Sequence, residues 1–143
     1  MPALIEFRLT APLQLPNRQR ISRDWRAGAA QKRRDRALLS AEIAALLAGQ
    51  RPVEPLKIVS VQVFRHSIQE PDTDNLYAAC KGLLDCLQPL AASRTYGLGI
   101  IANDKPSVCK ISVHHVKAKH RTEQFTRVVI RELSSFDLER LAA

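Results

Sequence analysis

LKIVSVQVFRHSIQEPDTDNLYAACKGLLDCL, residues 56–87, is the stretch that decides the fold. Its first nine residues, 56–64, alternate apolar with polar side chains and are rich in β-branched residues. That is the pattern of a strand. Residues 69–76 form a turn that runs into a helix over 75–87. Within it Leu76, Cys80, Leu83 and Leu87 recur at i, i+4, i+7 and i+11, one apolar stripe for a core to cover. Pro89 closes that helix, because it has no N–H to continue the ladder.

Upstream, residues 4–10 alternate roughly and read as a strand, broken by Pro12 and Pro16. Residues 17–22 read as a basic loop and 23–48 as a helix, with Ser22 or Asp24 as its cap and Gly49 as its end. Gly28 is a mild flaw in that helix. Its first half is basic and expected to be exposed. Its Ala- and Leu-rich second half has to pack. Downstream come an irregular loop over 91–99, an apolar run over 99–106 that ends in a turn, and a strand over 108–116. A basic turn over 117–124, a strand over 125–131 and a short helix over 134–141, capped by Ser134 or Ser135, complete the chain. The order β-α-β-α-β-β-α predicts an α+β (mixed α/β) fold: one domain over 1–143, a small sheet of about four strands, and two main helices packed on it.

Charge gives the first functional direction. The chain carries 22 Lys and Arg against 14 Asp and Glu, a net +8 over 143 residues. Such a surplus attracts polyanions through counterion release. It is concentrated: within 17–36, Arg18, Arg20, Arg23, Arg26, Lys32, Arg33, Arg34 and Arg36 stand against Asp24 and Asp35. That segment reads as an electrostatic footprint for a phosphate backbone. No apolar run approaches the ~20 residues of a membrane helix, and residues 1–8 do not resemble a secretory leader. Cys80, Cys86 and Cys109 form no C-x-x-C pair and suit buried, reduced thiols in a cytoplasm. Zinc is disfavoured, since these cysteines with His114, His115 and His120 match no finger spacing.

Several chemistries are excluded. There is no Walker A loop and no G-x-G-x-x-G run, so no organic cofactor is expected. Gly97-Leu98-Gly99 reads as a loop, not a phosphate cradle. His114 and His115 are neighbours in a strand and point to opposite faces. No Ser has an evident His and acid partner. Aromatic residues are 5% of the chain and Trp25 is its single Trp. That scarcity argues against a stacking platform for single strands, and Trp25 is expected to pack on the sheet.

The chemistry-bearing motif is Pro71-Asp72-Thr73-Asp74-Asn75-Leu76. An extended D-x-D points both carboxylates to one side, which suits shared coordination of a hard cation such as Mg²⁺, with Mn²⁺ as the alternative. Helix capping accounts for one acid at such a place. Two acids and Asn75 are more than a cap needs. Asp74, Lys81 and Asp85 share the helix face opposite the apolar stripe. There Lys81 either forms a surface pair with Asp85, four residues on, or stabilises charge on a reacting phosphate. Asp104, where the apolar run 99–103 turns, is the candidate third ligand, if a strand beside the helix carries it toward Asp72 and Asp74.

These residues resemble the RusA family of Holliday-junction resolvases from phages and bacteria. In that family a D-x-D-N-L run opens a helix, and an apolar segment then ends in an Asp-Asp pair, followed by a strand and a basic turn. The early strand leading to Pro16-Asn17 is similar too. The likeness spans residues 4–130, with its specific motifs confined to 72–104. It implies a RusA-like fold and a metal-dependent crossover-junction endodeoxyribonuclease acting in DNA recombination and repair. It also implies a homodimer in the cytoplasm of a bacterial or phage-infected cell. Asp72, Asp74 and Asp104 would hold Mg²⁺ and, with Lys81, form the catalytic group. Arg18, Arg20, Arg23, Arg26, Lys32, Arg33, Arg34, Lys117 and Lys119 would hold the backbone of branched DNA. Two positions depart from the family. Asn103 replaces the first acid of the pair, and Ala78 stands where the family's helix Lys usually lies, with Lys81 about a turn later. The alternative expectation is a RusA-like nucleic-acid-binding accessory protein without catalysis.

Overall fold

The computed structural model describes residues 2–15, 25–92 and 96–142. Four strands and three helices follow one another as β1 (Leu4–Leu9), α1 (Trp25–Leu46), β2 (Val59–Ser67), α2 (Thr73–Leu87), β3 (Cys109–Lys117), β4 (Phe125–Glu132) and α3 (Ser135–Ala142). The order is the one read from the sequence, and the architecture is α+β. The strands form one mixed sheet in the order β1-β4-β2-β3. β4 runs antiparallel to both β1 and β2, while β2 and β3 are parallel and joined through α2. No described helix is long and apolar enough to cross a membrane.

Strand alternation sorts the sheet residues into two sets. Ile5, Phe7 and Leu9 of β1, Val59, Val61 and Val63 of β2, and Val128 and Ile130 of β4 face the core. Against them lie Ile43 and Leu47 of α1 and the α2 stripe of Cys80, Leu83 and Leu87, joined by Cys86. Each fully buried aliphatic side chain contributes about 1.5–3 kcal/mol of gross transfer energy, offset by ordering of the chain. The stripe read from the α2 periodicity is therefore the face that docks.

β2 is displaced from the expected 56–64. Leu56 makes only an isolated parallel bridge with Ile101. The regular ladder starts at Val59, where β3 and β4 both flank the chain. It continues past Phe64 through Arg65 and His66, paired on both sides, and to Ser67, paired with β3 alone. Backbone pairing, not hydrophobic pattern, sets that end.

α2 starts at Thr73, two residues before the expected Asn75, with the Leu76 N–H donating to the Asp72 carbonyl at 3.0 Å. At its other end, the N–H groups of Leu98, Gly99 and Ile100 donate to the carbonyls of Cys86, Gln88 and Leu87. The loop thus satisfies carbonyls that a helix end leaves open. It needs Gly97, whose φ is +150° and where a Cβ would lie 2.8 Å from the backbone of residues 88–90. At α3, Ser134 Oγ accepts the Asp137 N–H and donates to its carboxylate, so of the two candidate caps Ser134 does the capping. The basic loop 17–22, the candidate caps Ser22 and Asp24, and the first residues of the expected helix 23–48 lie outside the described residues.

Candidate carboxylate site and nucleic-acid interface

Asp72 and Asp74 follow the C-terminal end of β2 and open α2. Asp72 occupies the N-cap position with extended backbone (φ −60°, ψ 149°), yet its side chain makes no capping hydrogen bond. Asp74 already lies in the first helical turn. The motif is therefore not the extended D-x-D expected from the sequence: one acid precedes the helix and the other is inside it. The capping explanation fails for the Asp72 carboxylate. Both acids are exposed.

The Asp72 side lines a polar cleft of about 500 Å³ shared with Arg65, Glu70, Asn75, Arg121 and Gln124. Its wall is built from within. Arg65 sits at an inward position of β2, 8% exposed. Its Nε donates to the Leu13 carbonyl at 2.8 Å and a terminal nitrogen to Ser67 Oγ at 2.8 Å. Ser67 Oγ donates in turn to the Gln69 carbonyl at 2.9 Å. Thr126 Oγ, fully buried, takes the Leu13 N–H at 3.0 Å and donates to the Ala11 carbonyl at 3.2 Å. Burying a guanidinium is costly unless its donors are matched; here Arg65 fixes the segment that leads to Asp72. Sequence reasoning passed over Arg65. The signal was available, since it stands in phase with Val59, Val61 and Val63.

The basic turn lies at this same end. Lys117 donates from Nζ to the Ile68 carbonyl. Gln124 Oε1 accepts the Ile68 N–H at 3.2 Å, and His115 Nε2 meets the Ser67 carbonyl at 3.1 Å. Lys117, Lys119, His120 and Arg121 are exposed around it. His114, on the other face, is exposed and stacks on Phe64, so the two histidines do diverge.

Asp104 is elsewhere. Because β2 and β3 are parallel, with Val59 opposite Cys109 and Ser67 opposite Lys117, the turn before β3 lies at the end of the sheet where β2 begins. Asp72 and Asp74 follow the other end. Asp104 accordingly reaches the middle of α2, where its carboxylate lies 3.7 Å from Lys81 Nζ. Lys81 lies 3.7 Å from Asp85 as well, and Asp85 lies 3.1 Å from Arg36 of α1. Seven residues of helix separate Asp74 from Lys81, about 10 Å of rise. Among the described residues, no group of three or more His, Cys, Asp or Glu side chains is gathered closely enough to hold a metal ion. The expected approach of Asp104 to Asp72 and Asp74 is thus corrected: the fold pairs it with Lys81. As arranged here, Asp104 does not share a Mg²⁺ or Mn²⁺ with Asp72 and Asp74.

Of the basic footprint, Lys32, Arg33 and Arg34 are exposed on α1. Arg36 is turned inward to Asp85 and, at 3.3 Å, to the Tyr96 hydroxyl, so it holds α1 to α2 instead of facing solvent. Arg18, Arg20, Arg23 and the side chains of Trp25 and Arg26 lie outside the described residues. All three cysteines are buried and none is in a disulfide. Burial pushes Cys80 up to about 12, and burial together with the nearby Asp104 charge pushes Cys109 to about 11. Neither is a thiolate nucleophile at neutral pH. Compared with known proteins, the chain matches no family model and no curated protein.

Proposed function

We propose that this chain binds branched DNA and cuts it as a structure-selective junction endonuclease, the activity its resemblance to the RusA resolvases implies. The observation that carries the reading is the company of Asp72. Two exposed carboxylates open α2 at the end of the fold where the basic turn 117–121 projects. One of them is unused as a cap and lines a cleft with two arginines. A generic solvated helix start has no need of that arrangement. Phosphodiester chemistry uses cations to seat the backbone and acids at the reacting phosphate.

In this reading Lys32, Arg33 and Arg34 on α1 and Lys117 and Lys119 at the turn hold the phosphates, and Asp72 and Asp74 act at the scissile one. Lys81 and Asp104 form a neighbouring ion pair further along α2. A four-way junction offers two symmetric strands, so a twofold homodimer is the natural acting unit.

A second reading is a nucleic-acid-binding accessory protein without catalysis. The observation in its favour is the separation of Asp104 from the other two acids. The two readings part on a labelled synthetic four-way junction, tested with Mg²⁺, with Mn²⁺ and with EDTA. Paired nicks that require divalent metal and vanish in Asp74→Asn support the nuclease. Binding without nicks under every condition supports the accessory protein.

A further inference from the structure

The sheet has a second face. α1 and α2 cover the face of Val61, Val63 and Val128, and strand alternation sends the intervening side chains the other way. On that opposite face two rows run across the strands. In one, the Arg8 guanidinium lies 3.4 Å from the Phe125 ring centre, and Phe125 stacks on His66 at 3.9 Å. In the other, Arg127 lies 4.5 Å over Phe64, and Phe64 stacks on His114 at 5.0 Å. Arg131 and Lys110 flank Ser60 on the same face. Among the described strand residues of this face, the cations Arg8, Lys110, Arg127 and Arg131 stand with one acid, Glu6, which bonds Arg127 at 3.0 Å. Those described strand residues therefore carry a surplus of three positive charges, and the face has a ring at its edge, since β3 is an outer strand and His114 is exposed.

Scarcity of aromatic residues argued against a stacking platform, but composition does not report placement. Half of the chain's four Phe are gathered here with two of its four His. A second copy of the chain laid on this face would set cation against cation. A duplex keeps its bases stacked inside, whereas an unpaired strand offers phosphates and open base faces together.

We propose that this face is a second nucleic-acid surface that takes an unpaired strand, with phosphates against Arg8, Lys110 and Arg131 and a base against the His114 ring. The inference rests on the nucleic-acid reading above and adds a surface on the side of the sheet away from α1 and α2. Its test is fluorescence anisotropy of the whole chain with a labelled single-stranded oligothymidylate and, separately, an intact four-way junction, each over a salt series. For the single strand, Arg8→Gln with Arg131→Gln lowers the slope of log affinity against log salt by about 1.4, from roughly 0.7 per phosphate contact. Arg131→Gln alone, at an exposed position, lowers it by about 0.7 and serves if the double variant does not fold. Arg131→Lys keeps the slope. His114→Ala weakens binding about fivefold or more, the low end of one lost stacking contact. An unchanged slope in the sheet-face variants, with junction affinity still lost in a Lys32→Gln, Arg33→Gln, Arg34→Gln variant, overturns this inference and leaves the earlier reading standing. Failure of the unmodified chain to bind either probe overturns both. An altered oligomeric state with an unchanged single-strand slope assigns the face to a second copy and overturns it too.

Discussion

Replacing Asp85 by Asn should separate two ion pairs that look alike on paper. Asp85 faces Arg36 at 3.1 Å with both side chains largely buried, 13% and 15% exposed. It faces Lys81 at 3.7 Å, but that lysine is 67% exposed. At an effective dielectric near 20, the closer pair has a gross attraction of about 5 kcal/mol. Desolvation of both ions removes much of it. Breaking a buried pair from one side still costs about 3–5 kcal/mol, because the survivor is left charged and unmatched. Arg36 keeps the Tyr96 hydroxyl and Asn can still accept a hydrogen bond, so the expected loss is about 2–3 kcal/mol. The exposed i,i+4 contact with Lys81 is worth about 0.3–0.5 kcal/mol. Urea unfolding of the single and double variants in two cycles, Asp85→Asn with Arg36→Met and with Lys81→Met, measures both couplings. The account expects a strong coupling for Arg36 and a weak one for Lys81. Equal couplings, or effects of Arg36→Met and Asp85→Asn that add within about 0.3 kcal/mol, would refute the claim that this pair clamps α1 to α2.

Other perturbations test other links. Gly97→Ala forces a Cβ to 2.8 Å from backbone at a positive φ, and should destabilise by about 1–3 kcal/mol in the same urea assay. His66 is held below its ordinary pKa of 6.5, first by burial and then by Arg8, Arg127 and His115. The unfolded chain therefore binds the proton more readily. This contribution to stability is complete above the ordinary value, declines as pH falls from there toward the lowered one, and is constant below. Thermal unfolding followed from neutral to mildly acid pH should show that decline in the native chain and less of it in His66→Phe. Neutralising Lys32, Arg33 and Arg34 together should flatten the salt dependence of junction binding by about 0.9 per lost phosphate contact, while the unfolding midpoint stays within about 0.5 kcal/mol of the parent.

Local pattern was enough for much of the fold. The α2 stripe of Leu76, Cys80, Leu83 and Leu87 was legible because a 3.6-residue period needs no knowledge of the partner. The strands over 108–116 and 125–131 showed in the same way, and each begins and ends within a residue of the reading. What failed was non-local. The far end of β2 carries Arg65, His66 and Ser67, whose polarity says nothing of a ladder set by β3 and β4. Asp104 was placed beside Asp72 and Asp74 because its local setting, an apolar run turning at an acid, matched the expected ligand. Its true neighbour follows from the parallel register of β2 and β3, which no short window contains. The partnership of Arg36 with Asp85 joins residues 49 apart, so a side chain read as part of a DNA footprint is structural. The open-face rows were hidden for the same reason: Arg8, Phe64, His66, His114, Phe125 and Arg127 come from four separate strands.

The measurement that bears most directly on the central claim is cleavage of a labelled four-way junction, with linear duplex as control, by the parent chain and by Asp74→Asn, with divalent metal and with EDTA. The account expects symmetric paired nicks on the junction alone, dependent on metal and reduced at least a hundredfold by the substitution, while the urea midpoint of the variant matches the parent. Junction binding with no cleavage by the parent in either metal, or cleavage undiminished in Asp74→Asn, would contradict it.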